Sequence, residues 1–249
     1  MGIKELAKAS KTVVAIYEKV MDVVYSLSTM ISPTLNTKLR YKSSFGKPID
    51  LNNPQTLNKK NQRLKLNTYY KNPLVKECAD KYKVRDYVTR IGCKEILNEL
   101  IAVYENADDI EWDKLPSSYV IKLNSGCGFN IVVPDNKKLD RIEAVEKLKK
   151  WIKIKYYLDY SEMQYKDVKP YILIEKYLKP KRIDEAFVYA DKLSKPFPFV
   201  KTDLYLFDDS IYFGELTFTS AGGLDKDITP EGLNHMGEMI DLSYRGNEK

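Results

Sequence analysis

Tyr119-Val120-Ile121-Lys122-Leu123-Asn124-Ser125-Gly126-Cys127-Gly128-Phe129-Asn130-Ile131 reads as strand, tight loop, strand. A β-branched and aromatic run ends beside a lysine, passes two glycines, and resumes as a second run at Asn130 to Val133. Glycine lets backbone amides approach a phosphate closely, and a neighbouring lysine adds a point charge. The outline is a phosphate clamp. It is not a P-loop, because GxxxxGK[ST] is absent and the glycines precede a strand rather than a helix. Ordinary glycine hairpins share this local pattern, so its meaning depends on what the rest of the chain brings to it.

Two further segments carry chemistry. Phe199 to Phe207 and Ser210 to Phe218 are strand-like runs joined by Asp208 and Asp209, an antiparallel hairpin with a short polar turn. Asp203 and Glu215 interrupt these apolar runs, and counting outward from the turn sets them nearly opposite, on one face of the sheet. Two facing acids repel unless a proton or a cation separates them. Magnesium, which prefers oxygen ligands and keeps phosphate in its shell, suits the pair; neutralisation by Lys201 is the alternative. Tyr171 to Glu175 is a third apolar strand. It breaks into Lys176-Tyr177-Leu178, a turn whose backbone can read the edge of a base.

Around these segments the chain is ordinary in composition. It has 249 residues, 43% of them hydrophobic, and a formal charge of only +6, which argues against a nucleic-acid partner. Cys78, Cys93 and Cys127 are odd in number and outside any CxxC spacing, so neither a disulfide framework nor a zinc site is expected, and a reducing cytoplasm fits. His235 is the one histidine, which removes most histidine-based catalysis. Val13, Ile16, Tyr17, Val20, Val23, Val24, Leu27 and Ile31 recur at helical spacing; the expectation is a helix packed on the body, with contact to a membrane surface or a partner as the alternative. Glu18, Lys19 and Asp22 exclude a membrane span there. Tyr41 to Lys60 reads as a connector. Helices are expected over Thr56 to Tyr70, Leu74 to Tyr87, Glu95 to Tyr104, Arg141 to Tyr157 and Asp184 to Leu193. The sum is an α+β chain with antiparallel sheets and packed helices. It divides into an N-terminal helical segment and connector (1–45), a helical region (46–118) and a nucleotide-binding region (119–249).

Taken in order, these segments resemble the ATP-grasp superfamily, in its teichuronopeptide-synthesis type. Asn53 to Asn58, Asp80 to Val88 and Leu115-Pro116 fall in the same order, and the likeness runs from near Gly46 to about Leu242. The resemblance implies an ATP-grasp-like fold and an ATP- and magnesium-dependent carboxylate–amine ligase of cell-surface polysaccharide biosynthesis. It would act through an acyl phosphate, in the cytoplasm or at the inner face of the membrane. Lys81 and Lys122 would hold the nucleotide phosphates under a loop of Ser125, Gly126, Cys127 and Gly128. Glu175, Lys176, Tyr177 and Leu178 would form the adenine hinge, and Asp203, Glu215 and Thr217 the magnesium ligands. Lys201, as a catalytic cation, and Arg85 would orient anionic substrate groups. The acid would be a small carboxylate such as a glycan uronic acid, and the acceptor an amine. Four departures stand out. Ser125 replaces a histidine, Lys201 an arginine and Thr217 an amide, and the passage from Leu178 to Asp184 is shorter than the family's. The alternatives are a compact relative that binds a nucleotide or sugar as a partner protein, and a glycosyltransferase using Asp208-Asp209.

Overall fold

A computed structural model describes residues 11–177, 185–207 and 210–244. Its central feature is a four-stranded antiparallel sheet of β1 (Leu100–Tyr104), β2 (Tyr119–Leu123), β3 (Asn130–Val133) and β4 (Ile172–Lys176), in the order β1-β4-β2-β3. Tyr119, Ile121 and Leu123 alternate onto one face. With Ile172, Ile174 and Val133 they form a core closed by Leu148 of helix α6 (Arg141–Ile152). Lys122, Leu173 and Glu175 turn to the opposite face, where two charged groups need partners.

A second sheet, the hairpin of β5 (Lys201–Phe207) and β6 (Ser210–Thr217), packs by Phe213 and Leu216 into a separate core. That core is shared with helices α3 (Leu57–Asn67), α4 (Pro73–Ala79), α5 (Val84–Arg90) and α8 (Ala186–Ser194). The hairpin is where the sequence is most telling. Leu204 to Phe207 pair with Phe213 to Ser210 in one register, whereas Asp203 pairs with Glu215, leaving Gly214 as the extra residue of a β-bulge. The bulge reverses the alternation of β6. Ile211 and Phe213 are buried before it, and Leu216 after it. Glu215 is thereby placed on the face of Asp203 instead of following Phe213 into the core. Only glycine fits, since a Cβ at position 214 would lie 2.8 Å from the Asp203 carbonyl oxygen and 2.9 Å from the Tyr205 ring.

Several expectations need correction. Leu74 to Tyr87 is two helices, because Asp80 ends α4 and accepts from the amides of Tyr82 (2.8 Å) and Lys83 (3.3 Å) as α5 begins. Glu95 to Tyr104 is not a helix. Lys94–Ile96 makes one 3-10 turn and Leu100–Tyr104 is edge strand β1, half-buried on both faces and so without an alternating pattern. The helix expected over Arg141 to Tyr157 stops at Ile152, and a short α7 follows at Tyr157–Tyr160. The connector begins at Gly46, after helix α2 (Pro33–Phe45), which Ser32 caps and Gly46 ends in the left-handed region.

The largest correction concerns α1 (Lys11–Ile31). Its apolar stripe does not pack on the body. Tyr25, Ser28 and Thr29 face inward instead, held by polar bonds: Thr29 Oγ1 donates to the Leu158 carbonyl (2.6 Å), and Asn36 Nδ2 to those of Tyr25 (2.8 Å) and Asp159 (3.2 Å). Arg40 completes the joint, paired to Asp159 at 2.9 Å with its guanidinium 3.9 and 4.2 Å from the Tyr25 and Tyr160 ring centres. Among the described residues no helix is long and apolar enough to cross a membrane.

A buried lysine and a buried glutamate lie beneath this joint. Lys65 on α3 donates to the Tyr160 carbonyl (2.6 Å) near Glu162, itself bonded by the Thr219 hydroxyl. Burial lowers the ammonium of Lys65 from 10.5 to about 8, against the opposing pull of Glu162. Between those pH values the folded chain binds fewer protons here than the unfolded one, so stability from this position rises with pH across that window. Denaturant unfolding from pH 7 to 10.5 should therefore shift by about 3 kcal/mol in favour of the wild type over Lys65→Met. A gap independent of pH would contradict a buried lysine of lowered pKa.

Candidate active site

The two sheets face each other across a cleft, and charged side chains from both meet in it. On the four-stranded sheet, Lys122 Nζ contacts Glu175 Oε2 at 2.8 Å, and Arg85 Nη1 lies 3.7 Å from the other carboxylate oxygen. Lys122 pairs with Leu173 across the strands, and Glu175 is the diagonal neighbour on the same face. On the hairpin, Lys81 Nζ stands 3.2 Å from Glu215 Oε2, and Thr217 Oγ1 donates to Glu215 Oε1 at 3.2 Å. Lys201 pairs with Asp203 at 2.7 Å. Tyr205 spans the gap, its ring centre 6.0 Å from Lys122 Nζ. Burial alone would raise the Glu215 carboxyl, but Lys81, Thr217 and Lys122 outweigh it and hold the group below the usual glutamate range.

Lys81 is aimed by its neighbours. It emerges from the break between α4 and α5, its amide donates to the Asn124 carbonyl (2.8 Å) and its ammonium to the Gly126 carbonyl (2.6 Å). Asn124 is fully buried and ties three segments together. Its Nδ2 donates to Asp80 Oδ1 (3.0 Å) and to the Lys169 carbonyl (2.9 Å), and its Oδ1 accepts from the Tyr171 amide (2.7 Å). Asp80 and Asn124 are thus the positioning residues behind Lys81; both lie in the segments that sequence reading singles out, with no role assigned to either. The only signal was their adjacency, one beside Lys81 and the other opening the glycine loop.

The loop has the expected glycine geometry. Gly126 and Gly128 lie at φ +80° and +79°, and a Cβ at Gly126 would sit 2.8 Å from both the Phe129 and Tyr156 rings. Ser125 is half-buried and Cys127 exposed at the loop's tip. The hinge residues are placed less uniformly. Lys176 is exposed at the end of β4; its amide donates to the Glu99 carbonyl (3.1 Å) and its carbonyl accepts from Asn98 Nδ2 (2.9 Å). Tyr177 is half-buried beside it, while Leu178, Asp208 and Asp209 lie outside the described residues.

Beyond Glu215 and Thr217 the cleft deepens into a cavity of 370 Å³. Gly126 and Cys127 form one wall, and Tyr156, Tyr160 and Tyr165 with Arg40 form the others. A separate cavity of 540 Å³, lined by Lys38, Asp50 and Arg63 among others, shares no residue with this one.

A cation fits the hairpin by donor chemistry. Asp203 and Glu215 are direct cross-strand partners and Thr217 adds a hydroxyl on the same face, an all-oxygen set suited to magnesium. Among the described residues no group of three or more His, Cys, Asp or Glu could hold a metal, so a cation here would complete its shell with phosphate and water.

The model of the TupA-like ATP-grasp family matches this chain in two stretches, residues 59–185 and 178–241. The chain belongs to that family. The two stretches meet where sequence reading expects the shortened passage after the hinge, and together they take in Lys81, the glycine loop, Glu175, Asp203 and Glu215. No curated protein and no solved structure matches the chain. Membership of the TupA-like family points to ligase-type chemistry of the ATP-grasp kind in polysaccharide synthesis.

Proposed function

We propose that this chain is an ATP-dependent carboxylate–amine ligase of cell-surface polysaccharide biosynthesis, working in the cytoplasm where ATP is supplied. One observation carries the reading: Lys81 and Lys122, from different elements, converge with Asp203 and Glu215 on a single cleft between two antiparallel sheets. Phosphoryl transfer depends on positioning and charge stabilisation more than on an acid or base, and this cleft supplies both with no histidine.

In the free chain each lysine is held by an acid, Lys81 by Glu215 and Lys122 by Glu175. Triphosphate oxygens would take over these ammonium groups, with the amides of Ser125 to Gly128 closing over them. Asp203, Glu215 and Thr217 would hold magnesium, which would supply positive charge to the phosphates. The substrate carboxylate then attacks the γ-phosphorus, the bond to the β–γ bridging oxygen breaks, and ADP leaves. An amine attacks the resulting acyl carbon, the carbon–oxygen bond to phosphate breaks, and the amine's proton passes to phosphate or water. The products are amide, ADP and inorganic phosphate. The cavity beyond Thr217, with three tyrosine rings, suits a sugar ring, and Lys226 at its edge would face the carboxylate of a uronic acid.

Hydroxylamine tests this directly, since it intercepts an acyl phosphate as a hydroxamate. With ATP, magnesium and glucuronate, the chain should form hydroxamate and ADP in equal amounts, with ATP raising the melting temperature only when magnesium is present. Stabilisation by a sugar nucleotide and not by ATP would replace the ligase reading with the glycosyltransferase one. Stabilisation by neither would favour a partner protein.

A further inference from the structure

The outward face of α1 has a repeat of its own. Val13, Ile16, Val20, Val23, Leu27 and Met30 are spaced alternately three and four residues apart, the a and d positions of almost three heptads. All six are between 47 and 70% exposed. A helix that merely covered its own domain would turn this row inward; here Tyr25, Ser28 and Thr29 anchor the opposite side and keep the row facing out. Val24 and Ile31 widen the strip, and Leu35 and Leu39 on α2 extend it.

Three observations bear on what covers this strip. A strict 3-4 spacing matches the knobs-into-holes geometry of a second helix, since an interfacial helix needs only a broad apolar face. Charge is the second: residues 1–31 hold four lysines against three acids, with Glu18 and Asp22 inside α1, so the segment has little attraction for an anionic lipid surface and little self-repulsion. Area is the third. Each of the six seam side chains is about half exposed or more, so a second helix laid along α1 would take a continuous apolar row out of water.

We propose that α1 is a self-association element, pairing with α1 of a second copy of this chain as a two-helix coiled coil. The pairing is independent of the ligase reading. It buries the seam and uses none of the residues that line the cavity.

Sedimentation equilibrium of the full chain from about 1 to 50 μM tests it, because a dimer's population follows concentration by mass action. The wild type should approach twice 28.9 kDa. The double variant Val20→Glu/Val23→Glu should remain monomeric throughout, a loss of about 100-fold or more in association. Both positions are over half exposed, so its circular dichroism and melting temperature should match the wild-type monomer's. Val20→Leu/Val23→Leu should keep the dimer. A wild type monomeric at 50 μM overturns the proposal, as does a dimer indifferent to the glutamates or a mass of three copies. Flotation of a monomeric wild type with phosphatidylglycerol vesicles, lost in the glutamate variant, would overturn it in favour of a lipid surface.

Discussion

Glu215→Gln is expected to abolish the magnesium dependence of ATP stabilisation and to lower ATP turnover by about 1,000-fold or more. The variant keeps the size and shape of the side chain, its place opposite Asp203 and an oxygen able to accept from Thr217. What it removes is the charge. Lys81 and its neighbours hold Glu215 below the usual glutamate range, so at neutral pH the native group is an anion ready for a cation, and it loses that role only as pH falls through its lowered pKa. In the variant Lys81 keeps its bond to the Gly126 carbonyl but loses its ion pair with position 215. Binding of ATP without magnesium should therefore survive or tighten while hydroxamate formation stops. Melting curves with ATP, with and without magnesium, read the first effect and hydroxamate release the second. Should full magnesium-dependent activity persist, Glu215 holds no cation and the hairpin is a structural ion-pair network.

Lys122→Ala combines a structural cost with a functional one, and the two can be separated. Glu175 is buried and takes its closest cation from Lys122, with Arg85 farther away at 3.7 Å. Removing Lys122 leaves a buried carboxylate half-satisfied, at a cost of about 2–3 kcal/mol. If the same ammonium also reaches phosphate, nucleotide affinity should fall about 100-fold. Adding Glu175→Gln removes the stranded charge, so Lys122→Ala/Glu175→Gln should recover most of the stability and none of the ATP affinity. Urea unfolding measures the first quantity and calorimetric titration with magnesium and ATP the second. Recovery of both in the double variant would mean that Lys122 serves only to neutralise Glu175.

Much of the site was legible because its strands carry their own local code. Tyr119–Leu123 and Asn130–Val133 were bounded correctly from β-branched content and the two glycines alone. Asp203 and Glu215 stood out as acids in apolar runs, and counting from the turn left them one residue out of register. The bulge at Gly214 absorbs that residue, and a glycine within a strand run is the sign of such a device. Asp80 and Asn124 could not be found this way. A buried Asp and Asn matter through bonds to segments more than 40 residues away, and no window of sequence contains them. β1 was lost for a different reason: an edge strand half-buried on both faces has no period to detect.

The amino-acid order by itself determined the α+β class, the glycine loop and the residue types of the candidate site, because strand propensity, glycine freedom and the oddity of an acid among apolar neighbours are local properties. It also set the 3-4 row on α1, whose period is visible to any reader. Which way that row faces was decided only by the tertiary structure. Periodicity reports that a helix has an apolar side, but the polar bonds of Thr29, Asn36 and Arg40 to the distant α7 segment turn that side to solvent. The meeting of Lys81 and Lys122 with the hairpin acids was decided in the same way, by the packing of two separate cores that brings distant segments within bonding range.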